Sequence, residues 1–234
     1  TGYRRIETPA GSVTNVDVAV LDTGVARVRD LNVAGGKGCQ KGSPYRDRNG
    51  HGTHVAGTVG ALDNNRDTVG IAPGASIWAV KVLDDEGTGR WSDVICGLDW
   101  VVQNADTIDV VNMSLAGTGT DRGACVGALH AAICSVVDAG VPVVVASGNQ
   151  GRDVATRVPA AFEEVITVAA FADSNGLPPV PVVGPNTCDR SPDDVFWRHS
   201  NDGEAVDITA PGSCIASLRP DRGVIRYSGS SMAT

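Results

Sequence analysis

No apolar run in this 234-residue chain approaches the about 20 residues that a membrane-spanning helix needs. The first residues, Thr1-Gly2-Tyr3-Arg4-Arg5, hold neither Met nor the apolar stretch of a secretory leader, so the chain reads as a mature form without leader or pro-segment. Aromatic residues are scarce, at 4%, and the core must be built mainly from Val, Ala, Leu and Ile. None of the six Cys stands in a C-x-x-C pair, so zinc-ribbon and thioredoxin-type spacings are absent. Positive charge is also short: 19 Lys and Arg face 27 Asp and Glu, a formal net charge of -8. That balance argues against nucleic acid or an anionic membrane as the main partner, since both recruit Lys and Arg. It suits a soluble, self-repelling surface and leaves acidic groups available for a hard cation. No internal repeat is present.

The length suits a single α/β domain over 1–234, and the 29 Gly imply tight turns and close backbone approaches. An even Cys count without metal spacing favours disulfides and an oxidising compartment. Near-continuous apolar runs at 16–21, 77–82, 108–113, 141–146 and 165–169 predict strands covered on both faces. Helical stretches are expected at 52–62, 91–102 and 124–139. The alternation predicts a doubly wound, mostly parallel sheet with helices on both faces. The stretch 173–202, rich in Pro, Gly, Asn and Asp, is expected to be a surface insertion pinned by a disulfide through Cys188.

Ligands in such sheets bind beyond the carboxyl ends of the strands, and three sharp motifs fall there. They are Asp22-Thr23-Gly24, Ser114-Leu115-Ala116-Gly117 and Ser147-Gly148-Asn149. An acid at position 22, after a buried strand, is costly unless paired. Aspartic peptidases also use Asp-Thr-Gly, but they need two carboxylates sharing a proton, and no second such tripeptide occurs. His51-Gly-Thr-His-Val-Ala-Gly opens a helix of small residues and fits a general base held by a carboxylate. His54, His130 and His199 read as structural or surface groups. Near the end, Gly229-Ser-Ser231-Met-Ala places Ser231 in the first turn of a helix, where free N–H groups and the dipole stabilise negative charge. It is not the G-x-S-x-G elbow.

Together, Val-Leu-Asp22-Thr-Gly, His51-Gly-Thr-His-Val-Ala-Gly-Thr and Gly229-Ser-Ser231-Met-Ala resemble the subtilase family of serine peptidases. Gly70-Ile-Ala-Pro73, Val80-Lys-Val-Leu83 and Val206-Asp-Ile-Thr-Ala-Pro-Gly212 add to the resemblance. The resemblance implies that Ser231 attacks the scissile carbonyl, His51 is the base, and Asp22 orients the imidazole. Asn149 would donate to the oxyanion, beside the Ser231 N–H. Gly87, Thr88 and Gly89, with Ser114, Leu115 and Ala116, would flank the substrate as added strands, with Leu83 beside them. Ala146, Ser147, Gly148 and Pro159 would line an apolar pocket for the residue before the scissile bond. Arg157 matches a position near the base of that pocket; it reads as a solvated group or as a determinant of acidic preference.

The same resemblance implies calcium, held by Asp30 and Asn64 with the carbonyls of Leu62, Arg66 and Thr68. It implies a secreted monomer, polypeptide substrates and a pro-segment inhibitor. Disulfides are expected as Cys39–Cys96, Cys125–Cys134 and Cys188–Cys214, one of the 15 connectivities that six Cys allow. Family chains continue beyond the point corresponding to Thr234, three residues after Ser231, so the domain is expected to be C-terminally truncated and inactive by itself. Two alternatives stay open: a catalytically silent domain that only binds peptides, and an aspartic peptidase using Asp22.

Overall fold

The computed structural model describes residues 14–173 and 194–234. Its strands and helices, in chain order, are β1 (Asp17–Asp22), β2 (Val33–Gly38), α1 (His51–Gly60), β3 (Ser76–Lys81), α2 (Trp91–Val102), β4 (Val110–Met113), β5 (Gly117–Thr118), α3 (Ala128–Asp138), β6 (Val143–Ala146), β7 (Arg157–Val158), β8 (Ile166–Ala172), β9 (Val195–Phe196), β10 (Ile208–Pro211), β11 (Ile215–Leu218), β12 (Val224–Tyr227) and α4 (Ser230–Ala233). The main sheet runs β10-β8-β6-β4-β1-β3-β2, and β9 also pairs with β8. All pairings in it are parallel except that of β9.

Strand alternation builds two cores, one on each face. In β1, Ala19 and Leu21 join α2 and α3 through Leu98, Val101 and Ile133, whereas Val18 and Val20 face α1 and α4 through Val55, Ala56 and Met232. β3 divides in the same way: Val80 sits in the first core, Ile77 and Ala79 in the second. Each central strand is therefore largely apolar on both faces, with Asn112 in β4 and Thr167 in β8 as buried polar exceptions, which is why the five apolar runs were legible as strands.

Edge and crossing elements were less legible. The strand β2 reads Val-Ala-Gly-Gly-Lys-Gly, a sequence with little strand propensity. A Cβ on Gly35 would lie 2.3 Å from the Trp78 ring, and one on Gly36 would lie 2.1 Å from the Ala79 carbonyl oxygen. Glycine here answers to the neighbouring strand. The stretch expected to be a surface insertion is tied in at its C-terminal part. Val195 and Phe196 pair with β8, Trp197 is buried, and Asn201 is fully buried.

Two of the expected disulfides are present, Cys39–Cys96 and Cys125–Cys134. In the third expected pair, Cys188 lies outside the described residues, while Cys214 is disulfide-bonded. Among the described residues, no helix is long and apolar enough to cross a membrane.

Candidate active site

Asp22 ends β1 and His51 begins α1, so the parallel sheet and the helix packed on it bring both to one edge. His51 Nδ1 lies 2.8 and 2.9 Å from the two carboxylate oxygens of Asp22. Asp22 is fully buried, and its Oδ1 also accepts from the Thr23 N–H at 2.7 Å. The approach requires glycine at position 52, because a Cβ there would lie 2.2 Å from the Gly24 carbonyl oxygen and 3.1 Å from Asp22 Oδ1. Burial opposes charging His51. The charge and hydrogen bond of Asp22, with the charge of Asp47 behind them, outweigh it and hold the imidazole pKa above its ordinary value.

Asp47 was not singled out in the sequence, yet it organises this corner. It is buried and accepts from Thr23 Oγ1 at 2.9 Å, the Gly50 N–H at 2.8 Å, the Thr53 N–H at 2.9 Å and Thr53 Oγ1 at 2.6 Å. It thereby satisfies the start of α1, whose N-cap Gly50 offers no side chain. The only sequence signal was an acid four residues before His51. Lys81, also unforeseen, is buried at the end of β3 and donates to the Thr23 carbonyl at 2.6 Å. His54, the next histidine on α1, faces inward as expected. It stacks on Tyr227 at 4.5 Å and contacts the Ile215 carbonyl through Nε2 at 3.1 Å. Desolvation lowers its pKa to about 4.

Ser231 lies in the single turn of α4, nearly buried. Its Oγ donates to the Ser114 carbonyl at 3.3 Å, and Ser114 Oγ donates back to the Ser231 carbonyl at 2.9 Å. Among the described residues, no hydrogen bond joins Ser231 to His51, whose Nε2 has no protein partner. Asn149 sits beside this turn, and its Oδ1 accepts from the Ser230 N–H at 2.8 Å and from Ser230 Oγ at 3.0 Å. Its Nδ2 is left without a protein partner among the described residues. Asn201, within the stretch expected to be an insertion, fixes this loop. It donates to the Ser147 carbonyl at 2.8 Å and accepts from the Gln150 and Arg152 N–H groups at 3.0 and 3.1 Å.

A cavity of about 570 Å³ opens from His51 and is lined by Leu83, Gly87, Thr88, Gly89, Ser114, Leu115 and Ala116, with Trp91 and Val94 at its apolar side. Asp84 shapes one wall. Its carboxylate accepts from the Thr88 N–H at 2.9 Å, Thr88 Oγ1 at 2.9 Å and the Glu86 N–H at 3.0 Å. Those bonds, that of the Thr88 N–H foremost, lower its pKa. Ala146, Ser147, Gly148 and Pro159 do not line this cavity; all four are buried. Arg157 is half-buried in β7, donates through Nη1 to Thr118 Oγ1 at 2.9 Å, and leaves a buried Nε without a partner among the described residues. His130 is buried against Phe162 with Nε2 2.5 Å from Glu164, and the exposed His199 accepts from Arg198.

Away from this edge, Asp30 is buried and accepts from Asn64 Nδ2 at 2.6 Å, while Asp30 Oδ2 is buried without a partner among the described residues. Leu62 reaches the same place through its N–H on the Asp30 carbonyl at 3.0 Å. Asn64 Oδ1 is engaged by the Arg66 N–H at 3.0 Å. The orphaned oxygen fits a cation, and ligation by Asn64 requires its amide to turn.

At the strand ends of this doubly wound α/β domain the fold thus gathers a histidine held by a carboxylate, a serine at a helix start and, among the described residues, a carboxamide N–H without a protein partner. The comparisons with known proteins make this specific. A sequence model described as the subtilase family matches residues 14–234, and the chain belongs to that family. Subtilisin E of Bacillus subtilis (strain 168) is 38% identical over 228 residues, covering 94% of this chain and 53% of that protein. The minor extracellular protease Epr of the same organism is 37% identical over 221 residues, covering 94% of this chain and 30% of that protein. The crystal structure of a cold-adapted subtilisin-like serine proteinase superposes with a TM-score of 0.77 at 32% identity, covering 99% of this chain and 75% of that one. The chain thus spans about half the length of subtilisin E.

Proposed function

We propose that the protein is a serine endopeptidase acting through an acyl-enzyme. Ser231 Oγ attacks the scissile carbonyl, His51 takes its proton through Nε2 and returns it to the leaving amine, and Asp22 holds the ring and stabilises its charged form. Asn149 Nδ2 and the Ser231 N–H receive the oxyanion. One observation carries the reading: His51 is gripped through Nδ1 by both oxygens of a buried carboxylate, while Nε2 faces a cavity free. The missing Ser231–His51 bond is compatible, because such contacts tighten when substrate binds. The peptide backbone runs along Gly87–Gly89 and Ser114–Ala116, and Ala146 to Gly148 with Pro159 shape the neighbouring subsite. The two disulfides and the extracellular relative support secretion.

Calcium is proposed at Asp30 and Asn64 with the carbonyls of Leu62, Arg66 and Thr68, where it would neutralise the orphaned Asp30 oxygen and brace the 62–68 loop.

The decisive experiment is labelling of the whole protein with a fluorophosphonate probe, followed by mapping. Modification at Ser231, lost in Ser231→Ala, is the expected result. Labelling that persists on another serine would overturn the assignment.

A further inference from the structure

In a chain of net charge -8, five of the 19 basic residues line one surface cavity of about 460 Å³. They are Arg27 and Arg29 after β1, Arg66 in the 62–68 loop, and Arg219 and Arg222 in the turn between β11 and β12. Asp30 and Asp67 line it and Asp221 pairs with Arg219, so five arginines meet three carboxylates, a local excess of two positive charges. Asp30 and Asn64, proposed above to hold calcium, line the same cavity, and an ion bound there would engage the Asp30 carboxylate and leave the arginines of the rim unneutralised by it. Arg219 is paired with Asp221 at 2.9 Å, and Arg27 lies over the Tyr45 ring at 4.0 Å. Arg29, Arg66 and Arg222 have no ion-pair partner among the described residues. Arg222 moreover holds φ 92, a left-handed backbone that a non-glycine residue adopts at a cost.

The cavity has a route to the catalytic edge. A second cavity, of about 340 Å³, shares Arg219 and Pro220 with it and is also lined by Asn49, Gly50 and Tyr227. Gly50 immediately precedes His51, and Tyr227 lies four residues before Ser231. This second cavity meets the cavity of Gly87–Gly89 and Ser114–Ala116 at Asn49 and otherwise lies beyond Gly50, so with the acyl part of a substrate along Gly87–Gly89 and Ser114–Ala116 it falls to the leaving-group part.

We propose that the arginine-lined cavity receives acidic side chains of the polypeptide substrate on the leaving-group side of the scissile bond. This rests on the peptidase reading. Guanidinium groups suit carboxylates because their planar forks pair with two oxygens at once. A protein repelling acidic chains through its overall charge gains a local site that holds them, which makes acidity beyond the scissile bond a selection rule.

The test uses the whole protein and peptides identical up to the scissile bond, with a Glu-Glu pair walked over the second to sixth positions after it and Gln-Gln controls. At one register, Glu-Glu should raise kcat/KM on the order of 5-fold at low salt, with the advantage vanishing near 1 M salt. Arg29→Gln with Arg222→Gln should remove the advantage and leave cleavage of the Gln-Gln peptides unchanged. Cleavage without a Glu preference at any register would overturn the proposal and leave the peptidase reading standing. Cleavage of no peptide would overturn the peptidase reading instead. Anisotropy of fluorescein-labelled Glu-Glu and Gln-Gln peptides on the same protein then decides the cavity alone: tighter Glu binding that depends on Arg29 and Arg222 supports it. Equal binding, or a preference shown only for an oligonucleotide competitor, overturns it.

Discussion

Ser230 holds Asn149 by two hydrogen bonds to one atom: its N–H and its hydroxyl both meet Asn149 Oδ1, at 2.8 and 3.0 Å. With the oxygen so occupied, the amide cannot flip without losing both bonds, and Nδ2 is the group left to donate. Ser230 is fully buried and its Oγ also accepts from the Gly148 N–H at 3.0 Å, so the support is itself supported.

Asn149→Leu should therefore lower kcat by roughly 10²–10³ with little change in KM, the magnitude established for such a donor in subtilisin itself. Ser230→Ala keeps one of the two bonds and should cost about 10-fold in kcat, again at nearly constant KM. Steady-state kinetics on a peptide amide distinguishes the two. A rise in KM as the main effect would place Ser230 in substrate binding instead.

The acid limb of kcat/KM should lie above the ordinary histidine pKa of about 6.5, because Asp22 and Asp47 favour the charged form of His51 and the base must be neutral to act. Asp22→Asn should move that limb to lower pH and reduce kcat by on the order of 10⁴. Linkage runs the opposite way for stability. A pKa raised by folding contributes stability that is complete below about pH 6.5 and is lost as pH rises through the folded value. Thermal melts against pH should show that loss in the wild type and not in Asp22→Asn.

His54 has the reverse sign. Its folded pKa of about 4 lies below the unfolded value of about 6.5, so the unfolded chain binds the extra proton between them. Stability should fall on acidification across that window, by on the order of 3 kcal/mol at its lower end. His54→Gln should be less stable at pH 7 and show a flatter acid dependence. Parallel curves for the two proteins would assign acid sensitivity elsewhere.

Gly52→Ala should separate the catalytic pair. The added Cβ meets backbone at Gly24, which cannot swing aside as a side chain can, and it presses on Asp22. A destabilisation of about 1–3 kcal/mol is expected, with loss of activity larger than the loss of folded protein at the assay temperature. Denaturant melts beside active-site titration measure both.

Excess EDTA should lower the melting temperature, and Asp30→Ala should remove most of that sensitivity, because binding to the native state alone stabilises by mass action. An EDTA response that survives in Asp30→Ala would locate the ion elsewhere.

The sequence by itself determined the central sheet and its helices and singled out the groups proposed here as catalytic. Strands buried on both faces must be largely apolar, and α2 keeps its apolar face at helical spacing, so both signals survive in one dimension. Asp22, His51 and Ser231 stood out because each sits in a short motif of small residues that their close packing demands. Only the tertiary structure decided what holds them. Asp47, Lys81, Ser230 and Asn201 are ordinary polar residues in the chain, and each acts through partners that folding supplies: Asp47 on Thr53, Lys81 on Thr23, Ser230 on Asn149, Asn201 on Ser147. The glycines of β2 were unreadable for the same reason, since their cause is Trp78 and Ala79 on the neighbouring strand. The five arginines come from three separate segments spanning 27–222, and no local pattern announces that they share a cavity. Local propensity and periodicity act over a few residues, whereas hydrogen bonds to buried polar groups and the summed field of charges depend on distances that only the folded chain fixes.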